Sequence, residues 1–203
     1  MRFRLFLPLS LVILVFTSAK SGLAQSAYTA AQERHLPFAI GAGLSNFDLD
    51  YGVDHGQERR MAGITMWFDW SPPNATGLLR GFAMEIEGRD INYGRPSSLT
   101  RMRQDTLVGG AVYSWRSYRL VHPYAKYLMG MGSIDFPSRN TYTHDTRAIS
   151  APGAGLEFRV FKSVWVRGDY EYQFWPHIFG PRSLNPNGFT ISTAYDFRTR
   201  PRS

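Results

Sequence analysis

The chain has 203 residues, no cysteine, an aromatic share of 15 % and a formal net charge of +7. That length suits one domain or one small barrel, and the missing cysteine excludes a disulfide scaffold and any thiolate metal site. The positive charge is spread over scattered arginines rather than gathered in a patch, which argues against a nucleic-acid partner.

The N-terminus reads Met1-Arg2-Phe3-Arg4, then an apolar run from Leu5 to about Phe16, then small residues at Gly22 and Ala24. A basic start, a short apolar core and small residues at the −3 and −1 positions form an export signal, predicted over residues 1–24 with cleavage before Gln25. The run is interrupted by Pro8 and falls short of the roughly 20 apolar residues of a spanning helix. Removal of the signal takes Arg2, Arg4 and Lys20 and leaves 20 basic against 16 acidic residues, with Lys126 and Lys162 the only lysines. No later segment has the length of a transmembrane helix, so any membrane insertion must use strands. Residues 25–36 lack a period and read as a short periplasmic lead-in; residues 37–203 read as one β domain.

From there alternation takes over, the signature of half-buried strands. Phe38, Ile40, Ala42 and Leu44 share one face. Ala62, Ile64, Met66, Phe68 and Trp70 alternate with Gly63, Thr65, Trp67 and Asp69. Phe82, Met84 and Ile86 alternate with Ala83, Glu85 and Glu87. Three further strands are predicted at 106–115, 124–132 and 148–160; the first leaves open which face points outward, and Pro152 weakens pairing in the upper half of the third. Val164, Val166, Tyr170, Tyr172 and Phe174 alternate with Arg167, Asp169, Glu171 and Gln173. Phe189, Ile191, Tyr195 and Phe197 alternate with Thr190, Ser192 and Asp196. The total is eight strands. The connections 48–60, 90–101, 133–147 and 176–187 are long and polar, those at 116–119 and 161–163 are tight, and 71–80 is intermediate. Long and short connections largely alternate, as in outer-membrane barrels with long outer loops and short periplasmic turns.

Alternation fits a soluble barrel with an apolar interior as well as a membrane barrel with an apolar exterior, so the character of each face decides. The apolar face carries large aromatics near strand ends, at Trp70, Phe82, Tyr172, Phe174, Tyr195 and Phe197, the expected interfacial girdle. The other face mixes small residues with charges of both signs, as a narrow filled lumen requires. Unpartnered charges there are costly, so Glu85, Glu87, Arg89, Lys126, Glu157, Arg167, Asp169 and Glu171 are predicted to form one lumenal network. A three-residue turn at 161–163 pairs Val160 with Val164 and sets Glu157 opposite Arg167. A two-residue slip would set Arg159 opposite Arg167 and Glu157 opposite Asp169, like against like. The first register, with Glu157 and Arg167 as an ion pair, is therefore predicted.

On these features the chain resembles the small outer-membrane barrels of the OmpA/OmpX type, over roughly Pro37 to Phe197 and without a peptidoglycan-binding domain. The resemblance implies an all-β, antiparallel up-and-down transmembrane barrel of about eight strands in the outer membrane of a Gram-negative-type envelope. It implies contacts with outer-membrane lipid and lipopolysaccharide. It further implies recognition by the barrel assembly machinery through the last strand, whose Tyr195-Asp196-Phe197 resembles the aromatic-ended signal of such proteins. The tail from Arg198 to Ser203 departs from that pattern, because it sets Phe197 back from the terminus.

Chemistry is sparse. His55, His144 and His177 fall in predicted outer loops, where Asp54 or Asp145 would be the nearest carboxylates, but no close ligand spacing marks a metal site. His122 lies near a periplasmic turn. No His-x-Ser pair, calcium-loop spacing or phosphate-cradling loop is present. The expectation is a non-enzymatic barrel without cofactor, with a filled, non-channel lumen and a structural or surface-interaction role, any surface ligand meeting its loops. The alternatives are a lipid-A-modifying barrel enzyme, marked by a Ser or Thr hydroxyl beside a His at the outer rim, and a soluble periplasmic ligand-binding barrel.

Overall fold

A computed structural model describes residues 37–50, 60–73, 75–93, 103–116, 120–137, 142–178 and 183–197. Eight strands follow in order: β1 (Phe38–Asp48), β2 (Arg60–Trp70), β3 (Phe82–Tyr93), β4 (Arg103–Ser114), β5 (Val121–Pro137), β6 (Tyr142–Arg159), β7 (Val164–Tyr172) and β8 (Asn187–Asp196). Each pairs antiparallel with its chain neighbour, and β8 pairs with β1, so the sheet closes into an up-and-down barrel. Closure removes the sheet edges along the barrel wall, the condition for strands to cross a bilayer with every backbone group satisfied. The predicted export signal and lead-in lie outside the described residues.

Period-2 alternation aims Ile40, Leu44, Ile64, Met66, Ile86 and Leu107 outward, all well exposed, while charged and small residues of the same strands point in and are buried. An apolar exterior around a polar interior is the arrangement a bilayer stabilises and water does not. Strand β4, whose facing was open, turns Thr106, Val108, Val112 and Ser114 inward and Leu107 outward.

The predicted loop at 133–147 is corrected by the structure. Strands β5 and β6, at 17 and 18 residues, remain paired from Val121↔Phe158 to Pro137↔Tyr142, so the connection is only 138–141. A spanning strand needs about 9–11 residues; this hairpin therefore projects well beyond the bilayer. Its outward face changes there from Met129 and Met131 to Ser133 and Asp135 because it leaves the lipid, while Ile134 stays buried on the inner face. Pairing of β6 with β7 begins at Gly153, just below Pro152. The connection at 71–81 holds one short 3-10 helix, Gly77–Gly81, at the end where the tight turns lie.

Candidate functional site

The lumen has three layers. At the outer end Phe47, Leu49, Met61, Ile91, Ile134 and Trp175 belong to one buried apolar cluster. Toward the periplasmic end lie Ala39, Trp67, Trp165 and Ala194, with Ala83, Val112 and Tyr124 beside them. Two lumen-facing glycines make room for the largest of these side chains. A Cβ at Gly41 would overlap the Trp67 indole, and a Cβ at Gly132 would overlap that of Trp175.

Between the apolar layers sits a belt of charge. Lys126 is fully enclosed, with its Nζ 2.7 Å from Glu87 Oε2, 3.0 Å from Glu171 Oε2, 3.3 Å from Asp169 Oδ1 and 3.6 Å from Glu85 Oε1. Arg89 grips Glu171 with both terminal nitrogens, Nη1 donating to Oε1 at 2.7 Å and Nη2 to Oε2 at 3.2 Å, and also pairs with Glu87. Its Nε donates to Thr65 at 3.1 Å. Arg167 Nη1 lies 2.6 Å from Glu85 Oε2, a close ion pair whose N–H is not aimed at the oxygen, and 3.6 Å from Asp69. Its Nε donates to the Tyr124 hydroxyl at 2.6 Å. Both guanidiniums reach into the neighbouring layers. The Arg167 plane lies over Trp67 and Tyr124, 4.5 and 4.2 Å from the ring centres, and Arg89 lies 4.2 Å from that of Phe47. Such stacking suits a planar, weakly hydrated cation better than it suits an ammonium.

The structure thus brings together seven of the eight side chains named from the sequence. The eighth, Glu157, is opposite Arg167 in the ladder, as the predicted register requires. It is only half-buried, and the carboxylates found against Arg167 are Glu85, Asp69 and, at 3.9 Å, Asp169. Asp69 joins the belt although the sequence offered no reason to single it out from other inward residues. Above it, Gln173 accepts from Gln104 at 2.9 Å and from the Trp175 indole at 2.8 Å, and donates to Glu171 at 2.8 Å. These polar residues had only alternation as a signal.

Of the aromatics, Trp70, Phe82, Tyr195 and Phe197 sit at the periplasmic ends of their strands and Tyr172 and Phe174 at the outer end. Tyr172 packs against Phe174 at 4.9 Å and Tyr195 against Phe197 at 4.6 Å.

A second polar cluster lies outside the barrel, on the projecting hairpin. His144, expected in a loop, stands on β6. Its Nδ1 meets Asp135 Oδ1 at 2.6 Å, and its Nε2 lies 3.1 Å from Thr146 Oγ1 and 3.4 Å from Ser133 Oγ. His144-Asp145-Thr146 is a His-x-Thr rather than a His-x-Ser, and the Asp135 contact crosses from β6 to β5. His55 and Asp54 lie outside the described residues. Among the described residues no group of three or more His, Asp or Glu side chains is placed to hold a metal.

A family model described as "Outer membrane protein beta-barrel domain" matches residues 17–197. The chain belongs to that family. This places it in the outer membrane and sets aside the soluble alternative. The crystal structure of Neisserial surface protein A (NspA) superposes with a TM-score of 0.60 at 9 % identity, covering 79 % of this chain and 97 % of that one. The attachment invasion locus protein Ail of Yersinia pestis gives 0.49 at 18 % identity, covering 78 % and 95 %. At 9 % identity the likeness to Neisserial surface protein A is one of fold. No curated protein matches the chain in sequence.

Proposed function

We propose that this outer-membrane barrel is a non-enzymatic, non-channel protein with a structural or surface-interaction role, delivered by an export signal at residues 1–24. The observation that carries this reading is the layered lumen. A belt of interlocked charges between two buried apolar layers leaves the strands bound to each other across the interior. Barrels of about eight strands have room for side chains and little else. Contact with lipopolysaccharide and other ligands then falls to the outer loops and the projecting β5–β6 hairpin, and engagement of the assembly machinery to β8. Purified protein in planar bilayers tests the lumen: the expected trace lacks a large, stable open state, and such a state would overturn the reading.

The His144 cluster favours one alternative. A carboxylate at Nδ1 and a hydroxyl at Nε2 are what a hydroxyl nucleophile requires, in support of acyl transfer on lipid A at the outer rim. Against it, the His144 side chain is 55 % exposed, whereas catalysis of this kind gains from a water-excluded site. The lipid A of cells carrying the wild-type chain, His144→Asn or no protein separates the two readings. Identical lipid A in all three supports the first, and a change lost with His144→Asn supports the second.

A further inference from the structure

The two rims of the barrel carry different charge. On the side of the long connections, residues 48–60, 90–105, 133–147 and 176–187 hold eight acidic and eight basic residues. On the opposite side, the segments 71–81, 115–120 and 159–163 contain no acid in sequence, and their described residues include Arg80, Arg116, Arg159 and Lys162. Short turns face the periplasm, so this cationic rim lies at the inner leaflet of the outer membrane. Acids do occur at that end, at Asp69, Glu157 and Asp196, but all three belong to the lumenal face, where Glu157 is half-buried and Asp69 and Asp196 are buried.

The cations recur in a fixed setting. Each of the three turns contains a large apolar residue followed directly by a cation: Leu79-Arg80, Trp115-Arg116 and Phe161-Lys162. The sequence repeats the pattern where β8 ends, at Phe197-Arg198. The apolar members are exposed, Leu79 at 62 %, Trp115 at 47 % and Phe161 at 69 %. In the first turn the 3-10 helix presents Leu78 beside Leu79 and holds Arg80 in its last turn. In the third, Arg159 donates to the carbonyl of Lys162 at 2.9 Å and bends toward that of Phe161, bracing the loop that carries the pair. A side chain in the acyl boundary with a cation one residue on is the geometry for gripping a lipid by its tail and its phosphate at once.

We propose that the periplasmic rim binds anionic phospholipid headgroups of the inner leaflet, through Arg80, Arg116 and Lys162 with Leu79, Trp115 and Phe161 as their apolar anchors. A headgroup with net negative charge fits because the three connecting segments carry cations and no Asp or Glu, and arginine recognises a phosphate oxygen pair in forked fashion. A zwitterionic headgroup offers the same phosphate but adds an ammonium that the rim disfavours. The 159–163 turn is too short to carry Lys162 far from the bilayer surface, and Arg80 stands two residues before β3 begins at Phe82, which favours lipid over the more distant carboxylates of the cell wall.

The full mature barrel, reconstituted in vesicles of phosphatidylethanolamine and phosphatidylglycerol, provides the test. Lipids that remain bound on release into detergent are identified by native mass spectrometry. The expected result is enrichment of phosphatidylglycerol over its share of the vesicle, reduced about fivefold for each cation replaced. Arg80→Gln, Arg116→Gln and Lys162→Gln together should abolish the enrichment, while heat-modifiable migration on a gel reports that the barrel is still closed. The single Lys162→Gln keeps the test open if the triple variant does not fold. Arg60→Gln with Arg103→Gln, on the other rim, should leave the enrichment intact. Retention of both lipids in proportion to the vesicle, or enrichment unaltered in the triple variant, would overturn the proposal. So would co-sedimentation with purified peptidoglycan that depends on the same three residues and exceeds the lipid preference.

Discussion

Arg167 and Arg103 are the same side chain in two surroundings. Arg167 lies in the lumen, fully enclosed, against Glu85 and Asp69 and stacked on two aromatic rings. Arg103 lies on the outer face of β4 near its outer end, with its Nη2 3.1 Å from Asp90 Oδ2 and its Nε 3.0 Å from Asp105 Oδ2, yet its side chain is 50 % exposed. The distances are similar and the energetic meaning is not. Water screens the second cluster and would solvate any member left alone. In the lumen the cations and carboxylates have been taken out of water together, so the loss of one leaves the others buried and uncompensated. Breaking a member of each cluster is therefore the direct way to test the difference.

The largest effect is expected for Arg167→Leu. The substitution leaves Glu85 and Asp69 facing each other's charge in an enclosed space, and removes the donor to Tyr124 and the stacking on Trp67. A loss of about 3–5 kcal/mol is expected, the range for breaking a buried pair from one side. Urea unfolding in lipid vesicles, followed by tryptophan emission, measures it. Combining Arg167→Leu with Glu85→Leu should recover a substantial part of the loss, since the carboxylate closest to Arg167 is then gone as well, which leaves Lys126 to its other three carboxylates. A double variant as unstable as the single one would mean that packing, rather than charge, holds this layer.

Next comes the packing of the outer apolar layer. Gly132→Val puts a branched side chain where the Trp175 indole lies, and Trp175 is itself held by the bond from its indole nitrogen to Gln173. Overpacking at a fixed site is expected to cost about 1–3 kcal/mol. Trp175→Ala in the same chain opens the space again and should relieve the strain, so the double variant should be more stable than the sum of the two singles implies. Strictly additive losses would show that the indole moves aside freely and that the layer is looser than its burial suggests.

How much of this was legible beforehand follows from what period-2 alternation encodes. It assigns a face, and for most strands the two faces contrast enough to read, as with Glu85 and Glu87 against Met84 and Ile86. In β4 the contrast fails, because Val108 and Val112 face the lumen while Leu107 and Tyr113 face out, and both faces look apolar. On the projecting hairpin the contrast fails for the opposite reason: once the strands leave the lipid, the outer face of Ser133 and Asp135 is as polar as a loop. The Glu157–Arg167 register was legible because adjacent strands fix it through a three-residue turn. Which carboxylates meet Arg167 was not, since Asp69 on β2 and Glu85 on β3 approach from across the lumen. That approach depends on how far the sheet shears before it closes. The glycines were the overlooked signal. Gly41 and Gly132 sit on the lumenal face opposite the largest indoles, and an inward glycine among bulky neighbours indicates that something from another strand fills the space.

The smallest effect should come from Arg103→Ala. Its two carboxylate partners remain hydrated when it is removed, and Asp90 and Asp105 stand on neighbouring strands where solvent weakens their repulsion. The expected cost is below about 1 kcal/mol at low salt. It should vanish as ionic strength rises, because exposed pairs are screened over a Debye length of about 3 Å in molar salt. The Arg167→Leu penalty should persist under the same conditions, since no counterion reaches the belt between the two apolar layers. Salt thus separates the clusters even where their absolute stabilities are hard to compare. An Arg103→Ala loss that survives high salt would mean that this outer cluster is held as rigidly as the lumen. An Arg167→Leu loss that fades with salt would mean that ions, and with them water, enter an interior whose layers are expected to exclude both.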